Sequence, residues 1–154
     1  MSDVSFTVRP LEAIFTKRSR TIYAGMKERA EKQYEEMPFT LAEFRDWLRK
    51  RFAPSGATIC DYSGQYVEVE KFSVDHKTPI SRGGTFYFEN LSICKPSENL
   101  RKGNMTAEEY YQFKQAIKSL PFGVQESIFK RLEIGDVQRF SHFRRINKKA
   151  RRAQ

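Results

Sequence analysis

One stretch of the chain, residues 74–103, restricts the possible fold more than any other: VDHKTPISRGGTFYFENLSICKPSENLRKG. It begins at the end of an extended segment with an acidic and an imidazole side chain, Asp75 and His76. A proline and two adjacent glycines follow, which predicts a loop. Residues 91–94 then form a short apolar strand, and a proline and a glycine bracket a short helix over 97–102. The pattern predicts a β-hairpin followed by a short helix.

The N-terminal part of the chain is interpreted as two helices. Residues 1–13 are polar and irregular, and Pro10 argues against an early helix, so we expect the first helix from about residue 14 to residue 37. Pro38 should end it. Thr40 and Glu43 then fit a capping box, which opens a second helix. The residues spaced by four on one face of the first helix are Ile22, Met26, Ala30 and Tyr34.

Between these helices and the central stretch, the pattern changes to β. Residues 59–64 are typical of a strand end and a turn, and residues 66–70 alternate between apolar and polar as a half-buried strand does. Beyond the central stretch, a second capping box predicts a helix from Thr106 to about Leu120, and a further helix is expected over 124–134. The chain is therefore predicted to be of the α+β class.

The positive charge is concentrated at one end of the sequence. The formal net charge is +9, and residues 139–154 hold seven basic and no acidic side chains. Such a block favours a polyanionic partner, with nucleic acid first and an anionic membrane surface second. A solvated tail that aids solubility is the other interpretation.

Several classes of protein do not fit the sequence. There is no apolar run of about 18 residues, so we expect no membrane span. The N-terminus lacks a basic segment followed by an apolar one, so a secretory signal is not expected and a cytoplasmic location is predicted. Cys60 and Cys94 are too few for a disulfide framework.

The residue types in the central stretch suit phosphodiester hydrolysis. This reaction needs a cation to neutralise charge, a base to deprotonate water and a scaffold that holds both. Asp75 and His76 are adjacent on a strand and point to opposite sides, so one can bind a metal while the other faces a water. The short helix can send Asn99 back towards Asp75. Oxygen ligands of this kind suit Mg or Mn better than Zn.

Together these motifs resemble the HNH endonucleases, which have the ββα-metal fold. The matching residues are Asp75 and His76, then Asn90, then Asn99. The flanking segments Val-Asp-His-x-x-Pro-x-Ser-x-Gly-Gly, Glu-Asn-Leu and Asn-x-x-Lys-Gly-Asn match as well. The resemblance covers about residues 58–112 and is to the His-Asn-Asn branch of the family.

The resemblance implies a role for each matching residue. His76 would be the general base, Asp75 and Asn99 the metal ligands, and Asn90 the residue that ties the loop and so orients His76. The whole chain is expected to divide into three regions: a helical region packed on the core (1–57), the nuclease core (58–120), and a C-terminal helical region with a basic DNA-binding tail (121–154). The expected phosphate contacts are Lys77, Arg82, Arg101, Lys102, Arg144, Arg145, Lys148, Lys149, Arg151 and Arg152.

The chain departs from the family at one point. Many HNH proteins carry two Cys-x-x-Cys pairs that bind a structural zinc, but here the second cysteine of each pair is Ser63 or Ser97. Serine does not ionise near neutral pH and is a poor zinc ligand. We therefore expect no structural zinc, and expect Cys60 and Cys94 to be packed thiols.

The resemblance implies a metal-dependent enzyme that nicks or cuts DNA, of the type found in bacteriophages or mobile elements. A monomer would nick one strand and a homodimer would cut both. The alternative is a non-catalytic DNA-binding or packaging-associated protein that keeps the fold. His142, the other histidine, is expected at the surface or facing phosphate rather than acting as a second base.

Overall fold

The computed structural model describes residues 9–135 and confirms the α+β class. Within that range the chain forms five α-helices and four short strands, and the strands pair as two antiparallel hairpins. The chain divides into two compact units, the first ending at Pro96 and the second beginning at Ser97. The three-region division given above stays a prediction. None of the helices in the described range is long and apolar enough to cross a membrane.

Helix α1 spans Arg9–Lys32, so the prediction of an irregular start and of a helix over 14–37 was wrong at both ends. Pro10 lies in the first turn, where the missing backbone N–H has no intrahelical partner to lose. The helix ends early because Tyr34 adopts a left-handed conformation, with φ of 58°. Met26 and Ala30 are buried as expected, but Tyr34 is fully exposed and does not belong to the buried face.

Helix α2 spans Leu41–Arg49 and has the predicted capping box. The Thr40 hydroxyl accepts a hydrogen bond from the Glu43 backbone N–H at 3.2 Å, and the Glu43 carboxylate accepts one from the Thr40 N–H at 2.7 Å. Phe44 and Leu48 are spaced by four on one face of this helix, and both are completely buried.

Aromatic rings join these helices to the rest of the first unit. Phe88 stacks on Phe39 with ring centroids 4.1 Å apart and on Trp47 at 5.5 Å. Phe39 in turn stacks on Phe44 at 5.9 Å. Because Phe88 begins the short 3-10 turn Phe88–Asn90, this stack holds the end of the loop that connects residues 76 and 91.

The two hairpins follow the predicted strand pattern. Strands β1 (Ala57–Ile59) and β2 (Tyr66–Glu68) form the first. Strands β3 (Ser73–His76) and β4 (Leu91–Cys94) form the second, with Ser73 opposite Cys94 and His76 opposite Leu91. All four residues of β4 are buried, so this strand runs through the core of the first unit.

Three helices belong to the described part of the second unit. Helix α3 spans Pro96–Lys102, as predicted, and helix α4 spans Ala107–Ile117 behind the predicted capping box, ending before the expected Leu120. Helix α5 covers residues 122–135, up to the end of the described range. The basic tail expected in the C-terminal region lies outside the described residues, which end at residue 135.

Candidate active site

Asp75 and His76 are the last two residues of strand β3, so their side chains leave the strand on opposite sides. They lie opposite Ser92 and Leu91 of β4. The imidazole of His76 is only 7% exposed. Its ring packs edge-on against the buried ring of Phe86, with centroids 5.2 Å apart and an angle of 84° between the planes. Packing of this kind restricts the ring to one orientation.

Asn90 closes the loop that connects β3 and β4. Its carboxamide oxygen accepts a hydrogen bond from the Thr78 backbone N–H at 2.9 Å, and its Nδ2 donates to the carbonyls of Thr78 at 3.0 Å and Thr85 at 2.8 Å. Its own carbonyl accepts from the Lys77 N–H at 2.7 Å. These bonds require a side chain that both donates and accepts hydrogen bonds, as a carboxamide does. They suit the role predicted for Asn90, which is to tie the loop.

The glycine pair lies within the same loop. Gly83 ends the 3-10 turn Ile80–Arg82 in a left-handed conformation, with φ of 85°. Gly84 approaches the backbone so closely that a Cβ atom there would lie 1.8 Å from the Thr78 carbonyl oxygen. The two glycines therefore permit the tight path of the loop that Asn90 holds closed.

A tyrosine contacts the predicted metal ligand. The Tyr62 hydroxyl donates a hydrogen bond to Oδ2 of Asp75 at 2.7 Å. Burial raises the pKa of Tyr62 well above its usual value, and the negative charge of Asp75 raises that pKa further, so the hydroxyl keeps its proton. The sequence analysis missed this contact, because nothing in the local pattern shows where the Tyr62 hydroxyl points.

An arginine from helix α1 also interacts with Asp75. Burial of the Arg29 guanidinium lowers its pKa, while the charges of Asp75 and then Glu28 oppose this effect. The Nε atom of Arg29 donates to the Gly25 carbonyl at 3.2 Å. Arg29 and Asp75 are far apart along the chain, so no local sequence pattern indicates an interaction between them.

The segments that carry the two cysteines are joined by hydrogen bonds. Cys60 and Cys94 are both buried, and neither belongs to a disulfide. The Lys95 N–H donates to Sγ of Cys60 at 3.3 Å, the Asp61 N–H donates to the Ile93 carbonyl at 2.9 Å, and the Ile93 N–H donates to Oδ2 of Asp61 at 2.9 Å. The turn is thus fixed to β4 by the chain's own polar groups. The expected lack of structural zinc stays a prediction.

The residues predicted to hold a divalent cation have suitable chemistry. Asp75 has a carboxylate and lies on strand β3, and Asn99 has a carboxamide and lies on helix α3. Oxygen donors of this type fit Mg or Mn. Among residues 9–135, no group of three or more His, Cys, Asp or Glu side chains could hold a metal by itself.

The predicted phosphate contacts have different surroundings. Lys77 and Arg82 are exposed on the loop, and the Lys77 ammonium donates to the Glu89 carbonyl at 3.0 Å. Arg101 is paired with Glu133 and Glu98 and lies over an aromatic ring.

Lys102 is 1% exposed, and a buried ammonium is poorly placed to meet a phosphate from solution. Lys77 and Arg82 are therefore the better candidates among the described residues. The other predicted contacts lie outside the described residues: Arg144, Arg145, Lys148, Lys149, Arg151 and Arg152. His142 lies there too.

The chain was compared with models of protein families, with curated proteins and with solved structures, and none of the three comparisons found a match.

Proposed function

We propose that this protein is a Mg- or Mn-dependent endonuclease of the HNH type, built on a ββα-metal core, that hydrolyses phosphodiester bonds in DNA. The observation that carries the proposal is the loop between β3 and β4. Three hydrogen bonds from the side chain of Asn90 close this loop directly beyond the Asp75 and His76 pair. A merely structural hairpin has no need of an acidic and an imidazole side chain at its end.

In the proposed mechanism, His76 takes a proton from the water that attacks the phosphorus atom. The ring of Phe86 packs edge-on against the imidazole and would help to orient it for this step. Asp75 and Asn99 would hold the divalent cation, which when bound neutralises charge at the phosphate and at the leaving oxygen. By resemblance to the HNH family, the products carry a 3′ hydroxyl and a 5′ phosphate.

Positive side chains would hold the DNA strand beside the site. Lys77 and Arg82 are exposed on the loop that Asn90 closes, so each can meet a phosphate near the scissile bond. Contacts of this kind add affinity but do not read the base sequence.

The proposal leads to a direct assay of supercoiled plasmid DNA. The protein is expected to convert it to the nicked form with Mg or Mn and to leave it intact with EDTA. Asp75→Ala is expected to remove the metal-dependent cleavage. Binding of DNA without cleavage, in both Mg and Mn, would contradict the proposal and favour a non-catalytic DNA-binding or packaging-associated protein.

A further inference from the structure

We propose that Tyr62 is a positioning residue, whose hydroxyl holds the Asp75 carboxylate in the orientation that binds the divalent cation. This inference rests on the proposed function, because it assigns to Tyr62 a part in the same site. Its basis is the 2.7 Å hydrogen bond from the Tyr62 hydroxyl to Oδ2 of Asp75, between two half-buried side chains on different elements.

The turn that carries Tyr62 is held firmly enough to act as a support. Its backbone is closed by hydrogen bonds from the Cys60 N–H to the Gln65 carbonyl at 2.8 Å and from the Gly64 N–H to the Cys60 carbonyl at 2.9 Å. Asp61 also forms an ion pair with Arg51, just beyond the end of helix α2. Tyr62 therefore projects from a turn, residues 60–65, whose backbone is held by hydrogen bonds.

The turn over residues 60–65 is also held against strand β4, which pairs with the strand that carries Asp75. Asp61 exchanges two hydrogen bonds with the backbone of Ile93, and Sγ of Cys60 accepts one from Lys95. Ile93 is the neighbour of Ser92, the residue that pairs with Asp75 across the hairpin. Tyr62 and Asp75 are therefore both tied to β4, which keeps the donor and the acceptor in register.

A partner of this kind changes metal affinity through orientation. A carboxylate at a strand end can rotate about its side-chain bonds, and each rotamer that does not face the cation weakens binding. A hydrogen bond to one oxygen selects a rotamer, and loss of such a partner commonly weakens metal affinity about 10- to 100-fold. In this chain the turn has Cys60 but Ser63 in place of the second cysteine of the pair. This turn would support the metal ligand Asp75 through Tyr62 rather than bind a structural zinc.

The test is the affinity of the intact protein for Mn without DNA, measured from the loss of the free-ion electron paramagnetic resonance signal. Tyr62→Phe removes only the hydroxyl and is expected to weaken Mn binding about 10-fold or more. The matched control is Tyr23→Phe, since the Tyr23 hydroxyl also donates one hydrogen bond, to the Phe39 carbonyl at 2.9 Å. That control should bind Mn as the parent does.

A second variant acts through the turn. Asp61→Ala removes the ion pair to Arg51 and the bond to Ile93 but keeps the Tyr62 hydroxyl, and it should also weaken Mn binding. The inference is overturned if folded Tyr62→Phe binds Mn as tightly as the parent. If the parent binds no Mn, or if Asp75→Ala binds it equally well, the proposed metal site itself fails, which is a different outcome.

Discussion

At Gly84 the main chain passes so close to the Thr78 carbonyl that no side chain fits between them. A Cβ atom would lie 1.8 Å from that oxygen and 2.9 Å from the Pro79 carbonyl oxygen. Both contacts involve backbone atoms, which cannot rotate away as the end of a side chain could. The requirement for glycine at this position is therefore steric.

Gly84→Ala should destabilise the protein and disorganise the loop. Because the added methyl group overpacks a rigid site, we expect the free energy of unfolding to fall by about 1–3 kcal/mol or more. Urea denaturation measures this change. Gly123→Ala is the control, since nothing lies within 4 Å of a Cβ at that helical position. Equal stability of the two variants would show that the loop does not have the path described.

The residues of the site differ in how far sequence could reveal them. The separated motifs pointed to Asp75, His76 and Asn90, because the chemistry of each depends on residue type and spacing. Tyr62 stayed hidden, because its contact with Asp75 depends on how the turn that carries it lies against the hairpin. The burial of Lys102 was also missed, because a lysine is normally expected at the surface.

Among the helices and strands, the features predicted best were those that depend only on residues close together in the sequence. Both capping boxes are present where Thr-x-x-Glu occurs, since the bonds that form them involve neighbours only. The ends of α1 were wrong, because a proline can begin a helix as well as break one. The left-handed Tyr34 that follows α1 had no sequence signal, since this conformation is uncommon for residues other than glycine.

Gly25 is a weak point in the middle of α1, and Gly25→Ala should stabilise the helix. A Cβ atom there would meet nothing within 4 Å. Glycine in a helix costs about 0.5–1 kcal/mol relative to alanine, since it has more backbone freedom to lose on folding. The free energy of unfolding in urea should therefore rise by about that amount. A decrease would mean that the position is more crowded than the structure indicates.

On the scale of the whole molecule, charge and site are separated along the sequence. Seven basic residues lie within 139–154, whereas residues 1–138 carry a net charge of only +2. A chain with this distribution can hold a polyanion through one segment and perform chemistry with another. That segment lies outside the described residues, so its role in binding DNA stays a proposal.

Deletion of residues 139–154 should weaken DNA binding and make it less dependent on salt. Each phosphate contact that is lost lowers the slope of log affinity against log salt by about 0.9, because fewer counterions are released. Fluorescence anisotropy with a short duplex at several salt concentrations measures both quantities. Unchanged affinity and slope would assign the tail to solubility instead.

The central claim is that His76 is the base in a metal-dependent nuclease, and the most direct measurement compares cleavage with binding for His76→Ala. Loss of a general base commonly slows a reaction about 100- to 10,000-fold. We expect nicking of plasmid DNA in Mg to fall by at least about 100-fold, while the affinity for a duplex stays within a few-fold of the parent. If His76→Ala cuts DNA at the rate of the parent protein, the proposed mechanism is wrong.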